Sequence, residues 1–112
     1  MKIITEQITQ QDIKEMAEKM FGNYVKAVVD ISQGIIAIDA ELHADLEALL
    51  LEQGSKREDV WGINFYPDLP GDQFIEFDSM VNIKPSLGNR SRGIDDPVVK
   101  EKIISVVNKL VK

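Results

Sequence analysis

Apolar residues recur at helical spacing in three segments of the chain. The first predicted helix begins after the N-cap Thr9, which forms a capping-box pattern with Asp12, and ends at Gly22. Its apolar face consists of Ile13, Met16, Ala17, Met20 and Phe21. A second helix is predicted over residues 41–53, and a third follows the N-cap candidate Asp96.

Apolar runs between these helices predict the strands. The predicted strands are residues 2–6, 25–31, 35–39, 60–66 and 74–84. Ser32-Gln33-Gly34 separates the second strand from the third, which predicts a hairpin. In the last strand odd positions are apolar and even positions polar, which is typical of a strand with one wet face. Ser79 and Met80 interrupt this alternation and indicate a bulge or a bend.

The element order is therefore β-α-β-β-α-β-β-α. Strand pairs joined by short turns favour an α+β fold, here a two-layer sandwich with an antiparallel or mixed sheet and helices on one face. At 112 residues, the chain is predicted to form a single domain, residues 1–112. Its 44% hydrophobic and 29% charged composition is that of a folded globular protein.

Composition and charge exclude several classes of protein. The net charge of −6 argues against general nucleic-acid binding, because phosphate backbones favour basic surfaces. The absence of cysteine excludes disulfides and thiolate zinc sites and fits a reducing cytoplasm. No uncharged stretch approaches the roughly 20 residues of a membrane span, and residues 1–6 lack the apolar run of a signal peptide. We expect a soluble cytoplasmic protein without a membrane segment, and no motif requires a cofactor.

The segment Lys84–Gly93 is a candidate anion-binding loop. It carries one lysine and two arginines with no acid, directly before the third helix. Arginine binds carboxylate or phosphate through two parallel hydrogen bonds. The candidate residues are Lys84, Asn89, Arg90, Ser91 and Arg92. The alternative is an ordinary loop whose arginines pair with Asp95 and Asp96, since its glycine spacing matches neither the P-loop nor the dinucleotide-binding fingerprint.

A second candidate site is the polar face of the last two strands. If these strands pair, their polar side chains cluster across the ladder. The candidate residues are Asn64, Tyr66, Glu76, Asp78 and Asn82. Neighbouring carboxylates such as Glu76 and Asp78 serve acid–base or metal chemistry in enzymes. A solvated sheet face explains the same pattern.

The only histidine, His43, lies among acids. Glu47 follows it by four residues and so shares its helical face, and Asp39 precedes it by four. Imidazole and carboxylates together are divalent-metal ligands, so these three are weak metal candidates. The set matches no defined metal motif, and acids near a helix start are favoured by the helix dipole alone.

Five blocks of sequence carry a family resemblance. The blocks are residues 15–22, 41–45, 61–64, 74–80 and 88–93, including the segments Trp61-Gly62-Ile63-Asn64 and Gly88-Asn89-Arg90-Ser91-Arg92-Gly93. Together they resemble a family of short bacterial proteins classed as a domain of unknown function, over nearly the whole chain. The resemblance implies a stand-alone cytoplasmic bacterial protein and supplies no catalytic residues.

Three functional interpretations follow from the residues. The first is a small non-enzymatic binding module whose loop 84–93 and adjacent polar strand face bind an anionic small molecule or an acidic protein segment. The second is a small metal-dependent hydrolase or nuclease-like enzyme that uses Glu76, Asp78 or the His43 cluster. The third is a structural homodimer that associates through an edge strand or the terminal helix.

Overall fold

A computed structural model describes all residues, 1–112, and confirms the predicted element order. The three helices are α1 (Gln10–Lys19), α2 (His43–Glu52) and α3 (Pro97–Leu110). The five strands are β1 (Lys2–Ile4), β2 (Val25–Asp30), β3 (Ile35–Ile38), β4 (Val60–Phe65) and β5 (Ile75–Glu76). None of the helices has the length and apolar character that a bilayer crossing requires.

The strands form one antiparallel sheet in the order β1-β3-β2-β4-β5. The hairpin of β2 and β3 lies at its centre, as the glycine-containing turn predicts. Strand β4 pairs with the other edge of β2, so that Lys26 lies opposite Asn64 and Val28 lies opposite Gly62. The α+β class is therefore confirmed, and the sheet is antiparallel throughout.

The helices cover both faces of the sheet. One face packs against α1 and α3 in a core that contains Val25, Ala27, Val29, Ile63 and Phe65. The opposite face packs against α2 through Val28, Ala37, Val60, Leu46 and Leu50. The predicted two-layer arrangement with helices on one face is thus wrong for α2. The physical reason is that β2 and β4 are buried on both sides, as central strands between two layers are.

The predicted N-caps of α1 and α3 are confirmed. Thr9 Oγ1 accepts a hydrogen bond from Asp12 N over 3.0 Å, and Asp12 Oδ2 accepts one from Thr9 N over 3.2 Å. Asp96 Oδ1 accepts from Val98 N over 2.9 Å, with Pro97 as the first residue of α3. Each such cap stabilises its helix by about 1 kcal/mol.

The strand predicted over residues 74–84 is wrong beyond Glu76. The chain leaves β5 and turns at Ser79, whose Oγ accepts a hydrogen bond from Val81 N over 3.2 Å at the start of a short 3-10 turn. The interruption at Ser79 and Met80 is therefore a bend. Beyond β5, the free edge of β4 is covered by the side chain of Asn82, which forms hydrogen bonds with both backbone groups of Gly62.

Candidate functional site

A polar cleft lies on the sheet face that α2 only partly covers. Lys26 and Asn64 alternate with core residues along β2 and β4, so their side chains lie on the same face as α2. The first residue of α2, His43, borders the cleft on one side. The cleft has a volume of about 270 Å³ and is lined by Tyr24, Lys26, His43, Asn64, Tyr66, Glu76, Asp78 and Arg92.

Asn64 forms the floor of this cleft, and only 6% of its surface is exposed to solvent. Its Nδ2 donates to Glu76 Oε1 over 2.8 Å and to the backbone oxygen of Asp78 over 3.3 Å. Both partners are acceptors, so the amide orientation is fixed by chemistry with the nitrogen toward them. The Asn64 Oδ1 atom is buried and accepts no hydrogen bond. The floor of the cleft therefore holds an acceptor without a protein donor of good hydrogen-bond geometry.

Two carboxylates and two cations surround that floor. Arg92 Nε donates to Asp78 Oδ1 over 2.7 Å, with side chains 57% and 43% exposed. An exposed pair of this kind contributes little net stability, so Arg92 can exchange this partner at low cost. Glu76 uses Oε1 for Asn64 and, over 3.3 Å, for the hydroxyl of Tyr66. Lys26 contributes the second cation.

Stacked aromatic rings form one wall of the cleft. The ring centroids of Phe21 and Tyr24 are 4.6 Å apart, and those of Tyr24 and Tyr66 are 5.5 Å apart. The Lys26 ammonium lies 5.2 Å from the centroid of the Phe21 ring. Burial raises the pKa of Tyr66, and the negative charge of Glu76 raises it further. The Tyr66 phenol therefore stays protonated and donates to Glu76.

His43 is held as a neutral imidazole. Its Nε2 lies 2.8 Å from the backbone oxygen of Ile63, and because a carbonyl only accepts, Nε2 carries the proton. Burial lowers the pKa of His43 and the charge of Lys26 lowers it further, against opposing contributions from Ile63, Asn64 and Asp78. Asn64 is thus near enough to favour the protonated ring, although its Oδ1 accepts no hydrogen bond of good geometry. The lone pair of the neutral ring is on Nδ1.

The predicted polar sheet face is brought together except for one residue. Asn64, Tyr66, Glu76 and Asp78 all line the cleft. Asn82 does not, because its side chain is fully buried at the edge of β4. Its inclusion is wrong because the strand predicted to carry it ends at Glu76.

The predicted anion-binding loop does not assemble as one site. Lys84 and Asn89 are buried at 7% and 4% relative exposure. Asn89 Nδ2 donates to the backbone oxygens of Asn82 and Gly93 over 2.7 and 2.8 Å. These hydrogen bonds from a buried side chain hold the loop backbone in place. Ser91 Oγ donates to Asp95 Oδ1 over 3.0 Å. Arg92 faces the cleft, and Arg90 is exposed with no such partner.

The Lys84 side chain instead makes its contacts within the protein. Its Nζ donates to the backbone oxygen of Arg57 over 2.8 Å and lies 5.3 Å from the centroid of the Trp61 ring. Glu47 Oε2 is 4.0 Å away. Burial lowers the pKa of Lys84, while the charge of Glu47 opposes that shift. The lysine joins the loop to the segment before β4, so its cation is not available to an external anion.

The three candidate metal ligands also lie in different environments. His43 Nε2 is bonded to Ile63, and Glu47 Oε1 lies 3.6 Å from Arg57 Nη1. Asp39 occupies a turn after β3 with a positive φ of 77°. No group of three or more histidine, cysteine or acidic side chains in the structure is arranged to hold a metal ion. His43, Glu47 and Asp39 thus do not form the metal site that their spacing suggested.

Tyr24 and Lys26 line the cleft and were missed at the level of sequence. The signal for Lys26 is its even position within an apolar strand, which places it on the opposite face from Val25 and Ala27. Only the pairing of β2 with β4 reveals that this position lies beside Asn64. The pattern of a single strand does not contain that information.

Comparison with known proteins places the chain in a family. No curated protein matches the chain. No solved structure matches it either. A family model described as "Protein of unknown function (DUF5674)" matches residues 2–110, which confirms the resemblance to a domain of unknown function over nearly the whole chain. The chain belongs to this family of proteins of unknown function, DUF5674.

Proposed function

We propose that this protein is a non-enzymatic binding module that holds a small polar ligand in the cleft above Asn64. The cleft gathers charged and hydrogen-bonding side chains from β2, β4, β5, α2 and the loop before α3. Convergence of polar groups from separate elements is typical of ligand sites. A cytoplasmic location and a bacterial origin, which the resemblance implies, belong to the same proposal.

The observation that carries this proposal is the buried, unpaired Oδ1 of Asn64. Leaving a buried acceptor without a donor costs about 1–3 kcal/mol. A ligand that donates a hydrogen bond to this atom recovers that free energy on binding. Lys26 lies directly opposite Asn64 in the strand register, and the flexible stem of a lysine lets its ammonium reach a ligand in the cleft.

A second candidate function is acid–base catalysis by His43. Its lowered pKa and its bond from Nε2 to Ile63 make Nδ1 a base at neutral pH. Glu76 and Asp78 line the same cleft. The metal-dependent form of the enzyme hypothesis has no support, because no metal-ligand group is assembled. Catalysis predicts that His43→Gln removes turnover of a cleft ligand but leaves its binding unchanged.

The homodimer interpretation has weaker support. The apolar stripe of α3 packs into the core through Ile103, Val107 and Leu110, so it is not free to form an interface. The edge strands β1 and β5 have three and two residues, which offers few unpaired backbone groups to a second copy.

A thermal-shift screen tests the binding proposal. The full chain is screened against amino acids, nucleotides, sugar phosphates and dicarboxylates. Saturation at about 100 times Kd stabilises the protein by about 2.7 kcal/mol, a clear change in melting temperature for a domain of this size. The shift should be reduced in Arg92→Gln and retained in Arg90→Gln, a matched change two residues away on the exposed surface. No shift with any compound, or equal shifts in both variants, would contradict the proposal.

A further inference from the structure

We infer that the ligand of the cleft combines a protonated amine with an acidic group on one small framework, as an amino acid does. This inference rests on the proposed binding function and names its ligand class. The cleft has hydrogen-bond acceptors at its floor and cations beside them. The acceptors would bind the amine of the ligand, and the cations would bind its acidic group.

The acceptor end is formed by Asn64 and Glu76. Asn64 Oδ1 accepts no hydrogen bond, and its orientation is fixed because Nδ2 faces two acceptors. Glu76 is exposed and uses only Oε1 in its bonds to Asn64 and Tyr66, which leaves Oε2 available. An ammonium group has three donors and no acceptor, so it complements free acceptor oxygens of this kind.

The aromatic wall also favours a cation at this end. Tyr24 and Tyr66 stack beside Glu76 and line the cleft. An ammonium within about 6 Å of an aromatic face is attracted by the ring quadrupole.

The cationic end is formed by Arg92 and Lys26. Arg92 uses Nε for Asp78, so its two terminal nitrogens can bind a carboxylate or phosphate in the bidentate manner of guanidinium groups. The ion pair of Arg92 with Asp78 is largely exposed and therefore weak, so Asp78 competes little with such an anion for Arg92. Lys26 adds a second positive charge on the same side of the sheet.

Charge and size define the class further. The two cations Lys26 and Arg92 balance the two carboxylates Glu76 and Asp78, and His43 is neutral at neutral pH. A ligand with separated but balanced charges keeps this balance, whereas a purely anionic ligand competes with both carboxylates. The volume of about 270 Å³ suits a ligand smaller than a nucleotide.

Isothermal titration calorimetry on the full chain tests this ligand class. The twenty standard amino acids are titrated first in pools and then singly. Any amino acid that binds is compared with two matched analogues, one that lacks the amine and one that lacks the acid; for alanine these are propionate and ethylamine. We expect the amino acid to bind at least about tenfold more tightly than either analogue, because each loses a charge-assisted hydrogen bond.

Variants assign each end of the ligand to its residues. Glu76→Gln should weaken binding of the amino acid about tenfold or more and leave the affinity for the acid-only analogue unchanged. Arg92→Gln should weaken binding of the compounds that carry an acidic group. Arg90→Gln is the matched control. If an acid-only or another compound binds the cleft as tightly as any amino acid, the ligand class is overturned while the binding function stands. If no amino acid binds, the ligand class is overturned, and the proposed function is overturned with it only if the thermal-shift screen is also flat. If a compound binds but no cleft variant changes its binding, both the ligand class and the proposed function are overturned.

Discussion

The side-chain amide of Asn82 takes the place of a strand beside Gly62. Its Oδ1 accepts from Gly62 N over 2.7 Å, and its Nδ2 donates to the Gly62 oxygen over 2.9 Å. The same Nδ2 also donates to the backbone oxygen of Arg92 over 3.0 Å. One buried residue thus completes the edge of β4 and holds the loop that carries Arg92 against the sheet.

Asn82→Ala should lower the free energy of unfolding by about 2–4 kcal/mol, since it leaves buried backbone groups of Gly62 without partners. Urea unfolding followed by circular dichroism measures this change. Asn108→Ala is the matched control, because Asn108 is exposed on α3 and alanine is a good helix former. A loss below about 0.5 kcal/mol for Asn82→Ala, the range of surface substitutions, would contradict the structural role.

Local signals in the sequence were sufficient for the helices and the central hairpin. Thr9 with Asp12 and Asp96 with Pro97 predict helix starts because capping involves residues that are close in the chain. The strand predicted over 74–84 failed because its alternation resumes after Ser79 and Met80 in a bent segment that forms hydrogen bonds with Gly62 only through the Asn82 side chain. That contact spans twenty residues and has no local pattern.

The site was only partly predictable for the same reason. The polar positions of β4 and β5 follow from alternation, so Asn64, Tyr66 and Glu76 were assigned together. Arg92 and His43 reach the cleft through the loop fold and the placement of α2, which depend on tertiary packing. The side of the sheet that α2 occupies was equally invisible, because a helical stripe does not specify which face it covers.

Gly62 is required by the close approach of Ser79. A Cβ at position 62 would lie 2.5 Å from both Cβ and Oγ of Ser79 and 2.9 Å from Val81 Cγ2. Gly62→Ala should therefore cost about 1–3 kcal/mol of stability, as overpacking does. Gly93→Ala is the control, since its nearest contact, with the oxygen of Phe77, is an ordinary 3.5 Å.

A double-mutant cycle checks that the clash is the cause. The penalty of Gly62→Ala should be smaller in a Ser79→Gly background, where the closest atoms are removed. Additive penalties in the double variant would show that the Ser79 contact is not responsible.

Asp30 should contribute to acid sensitivity. Burial alone raises its pKa, but hydrogen bonds from Ser55, Gln33 and Ser32 outweigh burial and lower it below the ordinary 3.8. A carboxyl whose pKa is lower in the folded protein stabilises the fold above its unfolded pKa, and this contribution is lost as pH falls from 3.8 through the folded value.

Free energies of unfolding measured across this acid range test the Asp30 contribution. The stability of the wild type should fall more steeply with decreasing pH than that of Asp30→Asn, whose amide does not titrate. Asp72→Asn, the same substitution at an exposed acid, is the matched control variant. Equal slopes for wild type and Asp30→Asn would refute the assignment.

His43 should titrate below its ordinary pKa of 6.5, because burial disfavours the imidazolium. As the only histidine, it gives one set of imidazole ring signals by NMR, which can be followed without ambiguity. Lys26→Met should raise the midpoint by removing a nearby positive charge, and Asp78→Asn should lower it. The fold gains no stability from His43 above pH 6.5 and loses some as pH falls from 6.5 toward the folded pKa. A midpoint at or above 6.5 would show that the ring is not held neutral.

NMR chemical-shift mapping shows most directly whether the cleft above Asn64 binds a small polar ligand. A compound that stabilises the protein in the thermal-shift screen is titrated into the uniformly ¹⁵N-labelled chain. We expect the largest changes at the side-chain amide of Asn64 and at the backbone amides of Lys26, Glu76 and Arg92, which border one cleft. Changes confined to the exposed loop around Arg90, with the Asn64 side-chain signal unmoved, would show that the compound does not bind in the cleft.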